Sequence, residues 1–363
     1  VSPSRNRPDP GEWTPRQAVQ RYLQRRKADS TEGSLDGWKY RLKLFVEWCE
    51  SVGIEAVGQL QPYDMDEYYD LRAGEVEPVT LEGEMWTLSS FAEFLENLDA
   101  TEHDLADSVR VPDLDPSERS SDKKLHTDDA LRLIEYYRND EQAYGTRNHA
   151  LLELAWFTGA RQGGLRALDL RDVELEDEPY VTFRHRPGSD TPLKNKVGGE
   201  RPVAIRSETA EVLRTYIDRY RYGVRDDHGR QPLLASTQGR PNSNTVRVWC
   251  YLATLPCQYG PCPHGKEPAA CSWTNYSEAS KCPSSRSPHQ IRTGTVTWLL
   301  NRGWPPEDVS ERVNASVKTI ENHYDKADLD ERRRRLRERM EKRRRPLLDQ
   351  LDLDDDSNYD NKV

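Results

Sequence analysis

Two residues able to share a chemical task stand three apart in SerProHisGlnIleArg. His289 and Arg292 open a stretch that continues at helical spacing through Trp298 and Leu299. That separation puts both side chains on one helix face, a proton donor beside a fixed guanidinium. Such a pair is common and by itself marks no chemistry. Arg161 stands where an apolar helical pattern breaks after ThrGlyAla, a backbone position able to aim a side chain into a cleft. Tyr324 follows in AsnHisTyrAsp, 32 residues after Arg292, and an isolated tyrosine after a histidine is ordinarily a packing residue. A second chemistry is offered by Cys257, Cys262, Cys271 and Cys282, at spacings of five, nine and eleven, with Cys49 and Cys250 outside the group. Four thiolates in one loop can close a tetrahedral zinc site, and a reducing compartment disfavours disulfides. These spacings are wider than a tight paired knuckle. His264 can replace Cys262 in such a set, and four unpaired reduced cysteines are the plain alternative.

The chain that must position these groups has 363 residues, enough for two or three domains at ~100 to 200 residues each. Its mean hydropathy of −0.94 is low. Apolar residues nevertheless recur at helical spacing, so the polarity belongs to a surface and not to a disordered chain. No apolar run approaches the ~18 to 20 residues that span a bilayer, and the first residues lack a signal-peptide core, so a soluble cytoplasmic protein is expected. The formal charge is −10, from 53 Lys and Arg against 63 Asp and Glu. An acidic total argues, on its face, against a polyanion partner, whose binding requires positive charge to displace counterions. The balance is uneven, however. There are 40 Arg to 13 Lys, and residues 331–345 carry +7, leaving −17 on the rest. Arg and Glu at helical spacing also pair with one another, so this run reads equally well as a solvated helix face. Dispersed carboxylates with few lysines suit a halophilic protein in concentrated salt, where screening shortens charge interactions to a few ångströms.

Along the chain, residues 1–12 form a polar lead and 13–100 a small helical domain. Its helices are opened by Thr14 with Pro15, by Ser34, by Asp64 and by Thr80. Leu81, Met85, Leu88, Ala92 and Leu95 make a buried stripe, and the Trp and Phe residues of this region are read as core. Residues 101–123, with Pro112, Pro116 and no apolar stripe, read as a linker. From 124 to 345 helical patterns surround a strand at Tyr180–Arg186, a turn at 187–190, a Lys-bearing loop and a strand at Pro202–Ile205, a small β-hairpin or three-stranded sheet. Residues 346–363, with six Asp and one Lys, read as an acidic disordered tail.

In this order the pieces resemble the tyrosine recombinase (phage-type integrase) family, of XerC/XerD-like kind, over most of the chain. ThrGlyAlaArgGlnGlyGlyLeuArg at 158–166 is similar to the family's first arginine box. LysValGlyGlyGluArgProVal at 196–203 is similar to its β-hairpin lysine segment, SerProHisGlnIleArg to its second box, and IleGluAsnHisTyrAsp to its nucleophile segment. The resemblance implies a mainly α fold. An all-helical, SAM-like core-binding domain would be joined to a mixed α+β catalytic domain with a Cys-rich insertion at 256–286, the two closing on duplex DNA as a clamp. It implies a site-specific recombinase that breaks and rejoins DNA by transesterification.

The implied roles suit the residue types. Arg161 and Arg292 are planar, permanently charged forks for the nonbridging oxygens of one phosphate. Tyr324 attacks phosphorus to give a 3′-phosphotyrosyl intermediate. Lys196 protonates the departing 5′ oxygen, with Lys194 as its competitor, and His289 supports proton transfer. The step itself requires no nucleotide or metal; zinc, if bound by the cysteines, would be structural and brace the loop before His289. Further implications are a homotetramer on two synapsed DNA sites, a monomer or dimer when free, and kinship with haloarchaeal members. Two positions depart from the family pattern. Gly164 stands where Glu or Asp is usual, and Ala315 where a second His or Trp is usual. They leave open a DNA-binding regulator with weakened chemistry. A strand-relaxing topoisomerase is a further rival, disfavoured by the N-terminal helical domain.

Overall fold

The computed structural model describes residues 9–30, 32–101, 104–115, 118–119, 121–325, 327, 329–338 and 340–341. The acidic tail, the last basic residues 342–345 and most of the polar lead lie outside these. The chain divides into two compact units, residues 1–121 and 122–363. Among the described residues no helix is long and apolar enough to cross a membrane.

The first unit is helical. Helix α1 (Pro15–Arg26) starts at Thr14, whose hydroxyl accepts from the Gln17 N–H while Gln17 reaches back to the Thr14 N–H, a reciprocal capping box. Helices α2 (Glu32–Val52), α3 (Pro62–Ala73) and α4 (Pro78–Glu96) follow. The last three begin two residues earlier than Ser34, Asp64 and Thr80 suggested. In α3 and α4 a proline takes the first helical position, where its missing N–H costs nothing. Asp64 is therefore the third residue of α3, where its carboxylate accepts from the Gln61 N–H at 2.8 Å. The expected stripe of α4 is buried, and Tyr22, Phe45, Trp48, Tyr68, Phe91 and Phe94 form one aromatic core. Trp86, on the opposite face of α4, is 59% exposed and does not belong to it.

The expected linker is corrected in part. Residues 105–108 form a short helix, α5 (Leu105–Ser108), and Leu105, Ala106 and Val109 are buried in the core of the first unit. A single turn leaves too few apolar positions for a periodic stripe.

The second unit is built around α7 (Arg147–Thr158), in which every residue from His149 to Thr158 is buried. A helix apolar all round belongs inside a domain. Against it pack α6 (Thr127–Asn139), α9 (Ser207–Thr215), α10 (Ser243–Ala253) and α11 (Pro288–Asn301). After the short α8 (Gln162–Ala167) comes an antiparallel sheet of three strands in sequence order, β1 (Val173–Glu174), β2 (Tyr180–Phe183) and β3 (Arg201–Ala204). Both hairpin strands are close to their expected places, and Phe183 pairs with Arg201. Helix α12 (Pro306–Val313) and the single turn α13 (Val317–Thr319) lead into a π-turn, Ile320–Tyr324, and residues 329–338 are helical again.

Glycine is required where α11 crosses the chain ahead of α6. The Leu125 N–H donates to the Gln290 carbonyl at 3.0 Å, so close that a Cβ on Gly294 would stand 2.1 Å from the Leu125 carbonyl oxygen and 3.0 Å from the Trp156 ring. Gly294→Ala is therefore expected to destabilise the protein by about 1–3 kcal/mol, the range for overpacking. A lower urea midpoint at unchanged m-value is the readout.

Candidate active site

Helix α11 starts with a second capping box, the Ser287 hydroxyl accepting from the Gln290 N–H and Gln290 from the Ser287 N–H, with Pro288 at the first position. This fixes His289 and Arg292 on one face. His289 is exposed, and its ring centroid lies 5.3 Å from that of Tyr324. Arg292 is 1% exposed, and its guanidinium carbon stands 4.8 Å from the Tyr324 ring centroid. Nη1 of Arg292 donates to the Gly159 and Val313 carbonyls at 2.6 and 2.7 Å. Among the described residues its Nε and Nη2, both buried, have no carbonyl or carboxylate acceptor, and the Tyr324 phenol is the polar group beside them.

Tyr324 ends the π-turn and is 5% exposed. Its carbonyl accepts from the Thr297 hydroxyl at 2.9 Å, which ties it to α11. The next residue, Asp325, takes a forked pair of hydrogen bonds from Arg335 at 2.8 and 2.7 Å, and Arg335 also donates to Asn301. Burial alone would raise the Asp325 carboxyl; the Arg335 fork and charge hold it below the usual range.

Arg161 is the residue just before α8. There α7 ends at Gly159, which adopts the left-handed conformation (φ 60°) that favours glycine at a helix stop. Nη1 of Arg161 donates to the Asn314 carbonyl at 2.6 Å. Asn314 itself is left-handed (φ 52°) at the end of α12, and its side chain accepts from Asn195 and donates to the Gly198 carbonyl. The lysine loop is thus pinned to the residue that holds Arg161. A cavity of about 240 Å³ opens here, lined by Arg161, Gly164, Lys194, Arg201 and Asn314 among others. Lys194 is in its wall. Lys196 is exposed and left-handed (φ 51°) at the head of the turn Lys196–Gly199, outside that lining.

Two arginines that no motif singled out complete the arrangement. Arg201 donates to the Arg312 and Gly199 carbonyls at 2.7 and 3.0 Å, and Arg312 to the carbonyls of Phe157 and Ala204. Burial pushes Arg292 down to about 10, with the Tyr324 phenol opposing and Arg161 adding to the fall. Burial also takes Arg201 down to about 10, reinforced by Arg292, Arg161 and Arg312. Arg292 and Arg201 both stay charged at neutral pH. No carboxylate contributes to the shift of either group, so the site is a nest of uncompensated positive charge beside a buried phenol. Arg201 and Arg312 are ordinary in sequence, because only the fold brings them to Arg161.

The two departures have different local causes. A Cβ at position 164 would stand 3.2 and 3.3 Å from the Phe183 ring, which fills the space a longer side chain would need. That ring carries the Arg201 guanidinium at 4.6 Å, a cation–π contact. Ala315 is buried with Val309, Val313, Ile320 and Tyr324, a packing role with no side-chain donor. The four cysteines of the insertion are free thiols, and among the described residues no three His, Cys, Asp or Glu side chains are grouped so as to hold a metal ion.

Residues 123–331 match the phage integrase family model. The chain belongs to the phage integrase family. Tyrosine recombinase XerD of Mycobacterium tuberculosis (strain CDC 1551 / Oshkosh) is 24% identical over 301 residues, covering 79% of this chain and 85% of that protein. Two solved structures share the fold. The Tn1549 transposon integrase in complex with a circular intermediate DNA aligns over 90% of this chain and 99% of its own, at 13% identity and a TM-score of 0.61. Lambda integrase bound to DNA aligns over 83% and 91%, at 13% identity and 0.55. This integrase family member is therefore a tyrosine-type site-specific recombinase, mainly helical with one small sheet. A carboxylate at position 164 should not help this integrase. Gly164→Glu is expected to cost about 1–3 kcal/mol of stability through the Phe183 clash, and to leave strand cleavage no faster in a single-turnover assay.

Proposed function

We propose that this integrase cuts and rejoins duplex DNA through a covalent 3′-phosphotyrosyl bond to Tyr324. The observation that carries the reading is the buried Arg292 fork beside the buried Tyr324 ring, with two donors that no carbonyl or carboxylate takes among the described residues. A guanidinium desolvated without a carboxylate costs several kcal/mol, and an oxyanion that accepts from it offsets that cost. Arg292 and Arg161 take the nonbridging oxygens of the scissile phosphate. The Tyr324 phenolic oxygen bonds to phosphorus as the bond to O5′ breaks; the phenol proton passes to His289 and Lys196 protonates the leaving oxygen. Negative charge on the five-coordinate transition state is greater than on the diester, so the same donors bind it more strongly. A 5′-hydroxyl attacking the phosphotyrosine reverses these transfers and reseals a strand without an external energy source.

Duplex DNA as the partner is supported by the DNA-bound relatives of the same fold and by the arginine nest. Exposed Arg332, Arg333, Arg334 and Arg337 on the helix 329–338 add a basic surface for phosphates or a neighbouring protomer. Four protomers on two synapsed sites is the assembly that exchange of two duplexes requires. The carboxylate excess and the 40 Arg to 13 Lys fit work in a salt-rich cytoplasm.

On a nicked suicide duplex carrying its recombination site, the wild-type protein should form a covalent adduct and Tyr324→Phe none; lack of any adduct at every salt concentration overturns the reading. Arg161→Ala and Arg292→Ala should each slow adduct formation about 10²-fold or more, the usual effect of losing one transition-state donor. The two lysines are separated by the leaving group. Lys196→Ala should slow cleavage about 10² to 10⁴-fold and regain most of it on a duplex with sulfur replacing the 5′ bridging oxygen, since a thiolate leaves without a proton. If Lys194→Ala is the variant so rescued, the acid is Lys194.

A further inference from the structure

The loop that carries the two lysines is anchored by burial at its ends and held in its middle by one side chain. Leu193 and Gly199 are buried, while residues 194–198 between them are all exposed. The Lys196 N–H donates to the Leu193 carbonyl at 3.0 Å, a bond within the loop itself. Among the described residues, both hydrogen bonds that tie 194–198 to another element go to the Asn314 amide. Its Nδ2 donates to the Gly198 carbonyl at 2.9 Å, and its Oδ1 accepts from Asn195 Nδ2 at 2.5 Å. A carbonyl can only accept, so Gly198 fixes which way this amide is turned. Asn195 stands between Lys194 and Lys196, and the latch therefore sets the place of either.

Asn314 has a second task, carried by its backbone. Its carbonyl accepts from Arg161 Nη1 at 2.6 Å, and Arg161, Lys194 and Asn314 line one cavity. The two tasks are separable. Where α12 stops, the chain turns through a left-handed residue (φ 52°), a conformation that glycine supplies as readily as asparagine. Glycine at 314 would leave the carbonyl on Arg161 and delete only the latch. The amide is thus an addition to what the helix stop requires, and it is directed at the lysine loop.

We propose that Asn314 is a positioning residue for proton transfer to O5′, its amide holding the lysine loop in register with the phosphate that Arg161 grips. Its role rests on the transesterification proposed for Tyr324. As the Tyr324 oxygen bonds to phosphorus and the bond to O5′ breaks, the lysine ammonium gives one proton to O5′ and is left as the neutral amine. The oxygen held by Arg161 and the O5′ that takes this proton are attached to one phosphorus. Their donors must therefore be placed relative to each other, and a misplacement of about 1 Å can cost about 10²-fold in rate. One residue does the placing, with its carbonyl on the arginine and its side chain on the loop.

Single-turnover cleavage of two nicked suicide duplexes, one with the ordinary 5′ bridging oxygen and one with sulfur in its place, tests this role. Asn314→Gly should keep the wild-type urea midpoint, slow cleavage of the oxygen duplex about 10- to 10²-fold, and cleave the sulfur duplex within about threefold of wild type, because a thiolate leaves without the proton. Asn195→Ala removes one of the two bonds and should show the same pattern more weakly. The double variant should be no slower than Asn314→Gly alone, since both changes open one latch. Where Asn314→Gly is insoluble, the two rates of Asn195→Ala decide. Equal slowing on both duplexes, wild-type rates on both, or additive losses in the double variant overturns the latch. If the wild type forms its Tyr324-dependent adduct while these variants fail the pattern, the latch alone falls; a wild type without any adduct overturns the recombinase reading and the latch with it.

Discussion

The carboxyl ends of α7 and α12 hold the whole site together. A helix terminus leaves carbonyls without intrahelical partners and carries the negative pole of the helix dipole. Here those carbonyls are taken by guanidinium groups. Phe157 and Gly159, at the end of α7, accept from Arg312 and Arg292. Arg312, Val313 and Asn314, at the end of α12, accept from Arg201, Arg292 and Arg161. Arg292 bridges the two ends through one nitrogen. Neutral carbonyls can orient a buried arginine without neutralising it, whereas a carboxylate would compete with any incoming phosphate. The arrangement therefore keeps its positive charge available while fixing where it points.

That choice has an energetic consequence. Desolvation lowers both Arg292 and Arg201, and neighbouring arginines lower them further, so the folded protein bears an electrostatic cost in its empty site. Preorganised charge of this kind binds a dianionic transition state strongly, because no dipole has to reorient when the charge develops. The Phe183 ring belongs to the same economy of space. By lying against Gly164 and under Arg201 it substitutes an aromatic face for a carboxylate, supporting a cation without cancelling it.

Legibility in the sequence followed the range of the interaction. Arg161, His289, Arg292 and Tyr324 each sit in a local pattern that sequence can single out, a helix break, a helix start or a terminal turn, and the structure places His289 and Arg292 beside the Tyr324 ring. Helices such as α4 and α7 were readable from apolar spacing alone. Helix α5 was not, since one turn has no period. Arg201 and Arg312 were invisible because their partners, the carbonyls of Arg312, Phe157 and Ala204, lie 108 to 155 residues away and carry no sequence signal. Asn314 carries no mark in the sequence as the holder of Arg161, because it holds it through a backbone carbonyl. Motif register favours Lys196 as the acid, yet Lys194 lines the cavity, a difference set by a left-handed residue that no composition announces.

The connection between the arginines and Tyr324 explains why position 315 can be alanine. Helix α11 sets His289, Arg292 and, through Thr297, the Tyr324 carbonyl, so three groups are held by one piece. Arg161 belongs to another piece, joined to the first where α12 stops at Asn314. Between Asn314 and the turn that ends at Tyr324 the chain must re-enter the core at once, and the Ala315 methyl is buried there against Val309, Val313, Ile320 and Tyr324. The Ser310 hydroxyl fastens this corner by donating to the Ala315 carbonyl at 2.6 Å. A small residue lets the tyrosine segment pack flush against the end of α12, close to the carbonyls that orient Arg161 and Arg292. The Ala315 methyl brings no donor of its own, and Arg292 keeps two buried N–H groups that no carbonyl or carboxylate takes among the described residues.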